Sequence, residues 1–429
     1  MDNFTHTLIG VLVGETLSRA STADRAGLPP QERRSMIVTA AAIGSNLPDL
    51  DLLYAFVGGK VNYLLHHRGH THTIVGALLL AGLFFFAGRA WLRRRGQVPS
   101  SSDLWWLGAV LACSALLHIA MDAANSYGVH PLWPLYDGWL YGDAVFIAEP
   151  LLWAACGPLV FLLRTPVARV LVALLLATGT ALAFFSGLLP SGVMAAYIVI
   201  LTGMLALGRW TTPRRALLAS LLLWIGATVT FIGASAIAGR RIDAAAAMHF
   251  PETRLLDRVL TPMPSNPLCW EALLVQEEHG GVALRRAMLA LAPTWISAAG
   301  CRSRNLDEPV TAPLAPVHIP ASDGLYWYGE VVTPADRLVR AVAEHCVAAA
   351  AMRFIRAPWL ANVQGRTVLG DLRYDREQAL GFAELELQEA PRCPFLVPPW
   401  LPPRGDVLTG PDRGASTGSL ARRRAPPPR

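Results

Sequence analysis

Side chains suited to metal chemistry recur at short intervals through the first 150 residues. They are His6 in "NFTHTLIG", Asp49 and Asp51 in "SNLPDLDLL", and the run "HHRGHTHT" with His66, His67, Arg68, His70 and His72. His118 and Asp122 follow in "LLHIAMDAANSYG", then Asp143 and Glu149 in "YGDAVFIAEPLL". Imidazole nitrogen with carboxylate oxygen is the donor set of Zn²⁺, and of Mn²⁺ or Fe²⁺ where carboxylates dominate. His118 and Asp122, four apart, share one face of a helix and can grip one ion. Pro48 fixes φ and turns Asp49 and Asp51 out of a helix end. So many donors suit one divalent ion or, better, a pair about 3.5–4 Å apart, an arrangement fit for hydrolysis of an ester or phosphoester.

Taken singly, each fragment has a plainer reading. His6 caps a helix, His118 and Asp122 form a hydrogen bond, and the histidine run binds metal adventitiously with Arg68 as a headgroup anchor. Asp143 and Glu149 mark the wet end of a helix. Their collective placement decides between these readings and a site, and placement depends on the elements that carry them.

A chain of 429 residues that is 53% hydrophobic and 16% charged has a membrane composition. Six stretches reach the roughly 20 apolar residues of a spanning helix, near 73–92, 104–122, 144–163, 167–189, 192–209 and 215–238. Two more polar ones, 4–18 and 35–47, are short. The expected fold is an all-α polytopic bundle of about eight helices, at least six of them spanning, over residues 1–240. "MDNFTHTLIG" has neither a basic leader nor a cleavage site, so no removable signal peptide is expected. The net charge of +6 comes from arginines in loops rather than a stripe interleaved with aromatics, which argues against nucleic acid as a partner. Basic clusters at Arg25/Arg33/Arg34, Arg93–Arg95, Arg164/Arg169 and Arg209/Arg214/Arg215 alternate with loops almost free of them. The positive-inside rule assigns the basic loops to the cytoplasm. That topology, with Arg240 and Arg241 as mild dissent, puts every acid and imidazole named above at the outer ends of the helices. Ionisable groups at membrane depth are costly, and a cation is what repays so much buried charge in one place.

Past the last span, 241–400 reads as a small soluble α+β domain outside the cytoplasm, and 401–429, rich in Pro, Gly, Ser and Arg, as a disordered tail. Cys269, Cys301, Cys346 and Cys393 form an even set that permits disulfides in an oxidising compartment. His249, His279, His318 and His345 lack ligand spacing and read as ordinary histidines.

The same motifs resemble the LexA-regulated, membrane-bound metal-dependent hydrolase family of bacterial inner-membrane proteins over about the first 160 residues. The family's His-Arg-Gly-x-Thr-His pattern falls on His67, Arg68, Gly69, Thr71 and His72. Its Pro-Asp-x-Asp falls on Pro48, Asp49 and Asp51, and its His-x-x-x-Asp on His118 and Asp122. Where the family has Asp-Pro, this chain has Glu149-Pro150. The ligand arrangement is also distantly similar to helical zinc-dependent phospholipases C. These resemblances imply a metal-dependent hydrolase with a lipid or phosphoester substrate in the inner membrane. His67, His72, His118, Asp49, Asp51 and Asp122 would be the main ligands, and His6, Asp143 and Glu149 secondary ones. The ion would lower the pKa of bound water toward about 7. Arg68 would stabilise developing negative charge, and Asp51 or Glu149 would act as base. The rival expectation is a non-catalytic membrane protein, either a divalent metal permease or a scaffold.

Overall fold

The computed structural model describes residues 1–21, 27–301, 310–388, 393–394 and 396–409, with the side chains of 55–58 outside that description. The bundle opens with α1 (Asn3–Ala20) and α2 (Pro30–Gly44), followed by α3 (Leu53–His66) and α4 (Ile74–Arg94). Then come α5 (Ser101–Ala123), the short α6 (Pro150–Ala155) and α7 (Leu159–Leu162), α8 (Pro166–Phe185), α9 (Ser191–Trp210) and α10 (Pro213–His249). Small residues set the spacing of α1 and α2, as at helix contacts in lipid generally. A Cβ on Gly10 would lie 2.1 Å from the Ser45 hydroxyl, so only glycine lets the two helices meet there. At the far end of the pair, buried Glu15 takes Arg19 and Arg34, while Asp103 completes the capping box of α5 with Ser100 and pairs with Arg33 at 3.2 Å. The basic residues at this end are thus partly neutralised within the protein.

Among the described residues five helices, α4, α5, α8, α9 and α10, are long and apolar enough to cross a membrane. The sixth expected span, 144–163, is not one helix. Residues 144–149 are non-helical, and the remainder breaks between Ala155 and Leu159 around Gly157 and Pro158, which lacks the N–H that would continue the ladder. The two short stretches at 4–18 and 35–47 are α1 and α2. α10 does not end near 240; its 37 residues, about 55 Å of helix, carry it beyond a bilayer's apolar core.

The chain beyond α10 is α+β, as composition suggested. β1 (Arg254–Met263), β2 (Asn266–Glu278), β3 (Gly281–Ala290) and β4 (Leu325–Pro334) form an antiparallel meander in chain order. α11 (Ala335–Glu344) and α12 (Cys346–Ala351) lead to a second antiparallel sheet of β5 (Pro358–Val363), β6 (Arg366–Asp371) and β7 (Glu384–Glu386). β3 is buried at every position, which suits a central strand reading "GVALRRAMLA". Two disulfides, Cys269–Cys301 and Cys346–Cys393, pair the even set; Cys113 and Cys156 are free.

This domain is welded to the bundle. Ala238, Ile242 and Ala246 of α10 share one apolar core with Leu260, Trp270 and Leu289 of the sheet. Arg241, whose charge dissented from the topology, donates to the carbonyls of Ala290 and Leu291. The tail expected to be disordered from 401 is structured over its first nine residues. Leu401 N–H donates to the Asp137 carbonyl at 3.0 Å, and Gly405–Thr409 forms α13; positions 410–429 lie outside the described residues.

Candidate metal centre

Four segments deliver the cluster to one end of the bundle. α1 brings His6 and α5 brings His118 and Asp122; two single 3-10 turns, Pro48–Leu52 and His70–His72, bring Asp49, Asp51 and His72. Pro48 starts the first turn, where its missing N–H costs nothing. In the second, Arg68 has a left-handed backbone (φ 60°), and a Cβ on Gly69 would lie 2.7 Å from the His66 carbonyl. The left-handed Arg68 and the close-packed Gly69 turn the chain so that His67, Arg68 and His72 are all buried.

At the centre, donor atoms of Asp49, His72, His118 and Asp122 lie within 4.8 Å of one another, and all four residues are buried. His72 Nε2 is 3.1 Å from His118 Nε2, 3.3 Å from Asp49 Oδ1 and 3.2 Å from Asp122 Oδ2. His118 Nε2 is 3.6 and 3.4 Å from the same two oxygens. Zn–N and Zn–O bonds of about 2.0–2.2 Å around a tetrahedral ion separate its ligands by about 3.3–3.5 Å. The five observed spacings, 3.1–3.6 Å, bracket that figure.

Proton bookkeeping points the same way. His118 Nδ1 lies 2.7 Å from the Ser45 carbonyl, which only accepts, so Nδ1 carries the proton. His72 Nδ1 lies 3.0 Å from Asp51 Oδ2 and is a donor by the same reasoning. In the neutral rings both Nε2 atoms then present lone pairs to each other and to two carboxylate oxygens. One shared proton would bridge the nitrogens and leave Asp122 Oδ2, buried without a hydrogen-bond partner, still unsatisfied. A divalent cation satisfies all four acceptors.

The surrounding residues orient this set, as the outer shell of a metal site does. Asp51 is filled with donors: His67 Nδ1 at 3.0 Å on one oxygen, and the Arg68 N–H at 2.9 Å, the Thr71 hydroxyl at 2.7 Å and His72 on the other. Asp49, Asp51 and His67 also bring donor atoms within 4.8 Å, but the saturation of Asp51 makes it an orienting group for two histidines rather than a free base. Asp122 Oδ1 takes Arg68 Nη2 at 2.9 Å, His6 Nε2 at 3.2 Å and the Met1 nitrogen. His6 also stacks on His118 at 3.7 Å. Arg68 is spent on Asp122 and on Asn125 Oδ1 at 2.8 Å, with its guanidinium 4.6 Å over the Tyr127 ring. Its geometry fits holding Asp122 in place, not reaching a substrate.

Two expected members are elsewhere. Asp143 accepts both Nη atoms of Arg356 at 2.9 Å, and Glu149 caps α6 through the Leu151 N–H while accepting the N–H and hydroxyl of Ser265. Both carboxylates tie the bundle to the sheet domain and neither enters the cluster. Reading by residue type missed Asn125, Tyr127 and the Ser45 carbonyl. Asn125, three beyond Asp122 at a helix end, carried a signal; a backbone carbonyl carries none.

Residues 1–189 match the model of the YdjM inner membrane protein family. All the residues of the cluster lie within that stretch, and the sheet domain lies outside it. The chain is also 33% identical over 112 residues to the inner membrane protein YbcI of Escherichia coli (strain K12). That match spans 26% of this chain and 57% of the relative's own length. No solved structure matches the chain.

The orienting role of Asp51 is testable. Asp51→Asn is expected to weaken metal affinity by about 10–100-fold without abolishing binding, the usual effect of losing an orienting partner. A competition titration against a chromogenic chelator measures it; unchanged affinity would remove Asp51 from the site.

Proposed function

We propose that this chain is a metal-dependent hydrolase of the bacterial inner membrane, acting on a phosphoester, ester or lipid-linked substrate. One ion, Zn²⁺ by its donor set, is held by Asp49, His72, His118 and Asp122. The convergence of two imidazole lone pairs and two carboxylate oxygens at tetrahedral spacing carries the reading. When bound, such an ion supplies Lewis acidity and activated water at neutral pH. The chain's own residues prepare that chemistry. Asp51 and the Ser45 carbonyl fix the tautomers of His72 and His118, and Arg68 with His6 holds Asp122. Asp49 is the least enclosed of the four, 7% exposed against 0% for the others, so substrate reaches the centre on its side. The names of the matching family and relative support the membrane. Two disulfides support an oxidising, periplasmic setting for the sheet domain and hence for the cluster packed beside it.

Full-length protein purified in detergent should cleave a generic phosphodiester or ester substrate, lose that activity to chelator and regain it with Zn²⁺. The second reading is a scaffold in which the ion is a staple, favoured by four protein donors that are all buried, the mark of closed structural sites. Chelation would then lower the melting temperature while no substrate turns over. A permease is less well supported. Among the described residues the cluster sits at one rim, and the interiors of α8 and α9 carry no ionisable path.

A further inference from the structure

Beside the cluster, α1, α2 and α8 leave a groove of about 750 Å³. Its walls are apolar, with Val11, Ala42, Leu171 and Leu175 among them, and Thr7 and Asn46 at one end. It follows the N-terminal half of α8 from Ala168 to Thr178, about 15 Å of helix, which is half the length of a ~30 Å hydrocarbon core. The rim is open to lipid, since Ile43, Leu50, Leu171 and Leu174 are exposed. The polar end does not stop at the wall. Asn46 Nδ2 donates to the Thr7 hydroxyl at 3.1 Å, and Asn3 Nδ2 donates to Asn46 Oδ1 at 3.5 Å and to Asp49 Oδ2 at 2.8 Å. An unbroken file of polar groups therefore joins the groove to the most accessible of the four donors.

We propose that this groove seats one acyl chain of a bilayer glycerophospholipid, with the headgroup at Asn46 and Asn3 beside Asp49. Length, an apolar wall open to the bilayer, and a polar end leading to Asp49 together fit that occupant. A peptide helix would not use the polar file. The inference rests on the hydrolase reading for its purpose, making a lipid the substrate class, but the seat itself is read out without turnover.

The test reconstitutes full-length protein in nanodiscs of phosphatidylethanolamine and phosphatidylglycerol that carry a trace of phosphatidylethanolamine with a diazirine on its acyl chain. After illumination, labelled peptides are mapped by mass spectrometry. Peptides of α2 and α8 lining the groove should carry label well above those of α9 and α10. Thr178→Trp and Ala42→Trp, which fill the groove from either wall, should each cut groove labelling about tenfold, equal to ~1.4 kcal/mol of lost contact. Val199→Trp on the lipid face of α9 should not. Metal content, measured on the same samples, should stay at the wild-type value, so a failed seat is distinguishable from a failed metal centre. Label spread evenly over all lipid-facing helices, labelling indifferent to both groove variants, or cross-links there to a second copy of the chain would each overturn the proposal.

Discussion

His118→Ala is expected to empty the metal centre while leaving a folded protein. Structural zinc sites bind with about 10–16 kcal/mol spread over four ligands, so one ligand carries about 3–4 kcal/mol and its loss weakens binding ~10²–10³-fold. The stoichiometric ion proposed for the wild type should be absent from the variant after dialysis against a weak chelator, and with it any chelator-sensitive hydrolysis. His72→Ala should behave alike, since its Nε2 faces His118 Nε2 and the same two carboxylate oxygens. His70, two positions away, is the control. Its ring packs on Trp133 and Trp400 rather than on the cluster, so His70→Ala should keep the metal. Metal retained in His118→Ala, or lost equally in His70→Ala, would show that the ion is held elsewhere in the histidine run.

The second large effect is on folding. Arg356 is 4% exposed and binds Asp143 and Asp257 together, joining the loop before α6 to the first strand of the sheet. Burial alone would raise the Asp257 carboxyl, but hydrogen bonds and charge from Arg356 hold it below its ordinary value. Arg356→Met strands two half-buried carboxylates, and losing their partner costs up to about 3 kcal/mol, the low end of what a buried pair shows. The melting temperature in detergent should drop by several degrees, and Arg356→Met with Asp143→Asn and Asp257→Asn should recover most of it. A depressed folded-state pKa contributes stability above the unfolded value near 4 that is lost as pH falls through the folded one. Acidification below about pH 4 should therefore narrow the part of the gap between wild type and Arg356→Met that Asp257 carries; Asp143, which burial keeps above its ordinary value despite Arg356, adds nothing to that dependence. An unchanged melting temperature in Arg356→Met would mean that the two halves of the chain are not clamped there.

Much of the cluster was legible because ionisable side chains inside apolar stretches are rare, and arginine bias placed them at common helix ends. His6, Asp49, Asp51, His67, Arg68, His72, His118 and Asp122 all passed that filter and meet in space. Asp143 and Glu149 passed it too, yet their partners, Arg356 and Ser265, lie more than 100 residues on. No local pattern announces such pairing. The division of labour was equally hidden: Asp49 and Asp51 look alike in "PDLD", and only their neighbours show one facing the lone pairs and the other saturated with donors. Hydropathy saw the composition of 144–163 but not the break at Pro158. The extension of α10 did carry a signal in "DAAAAMH", which favours helix without favouring lipid.

The most direct test of the central claim is X-ray absorption on wild-type protein as purified in detergent. The account predicts one divalent ion per chain, with nitrogen and oxygen neighbours at about 2.0–2.2 Å and outer scattering from two imidazoles. Folded protein with no stoichiometric metal, or an ion in a shell without imidazole, would contradict it.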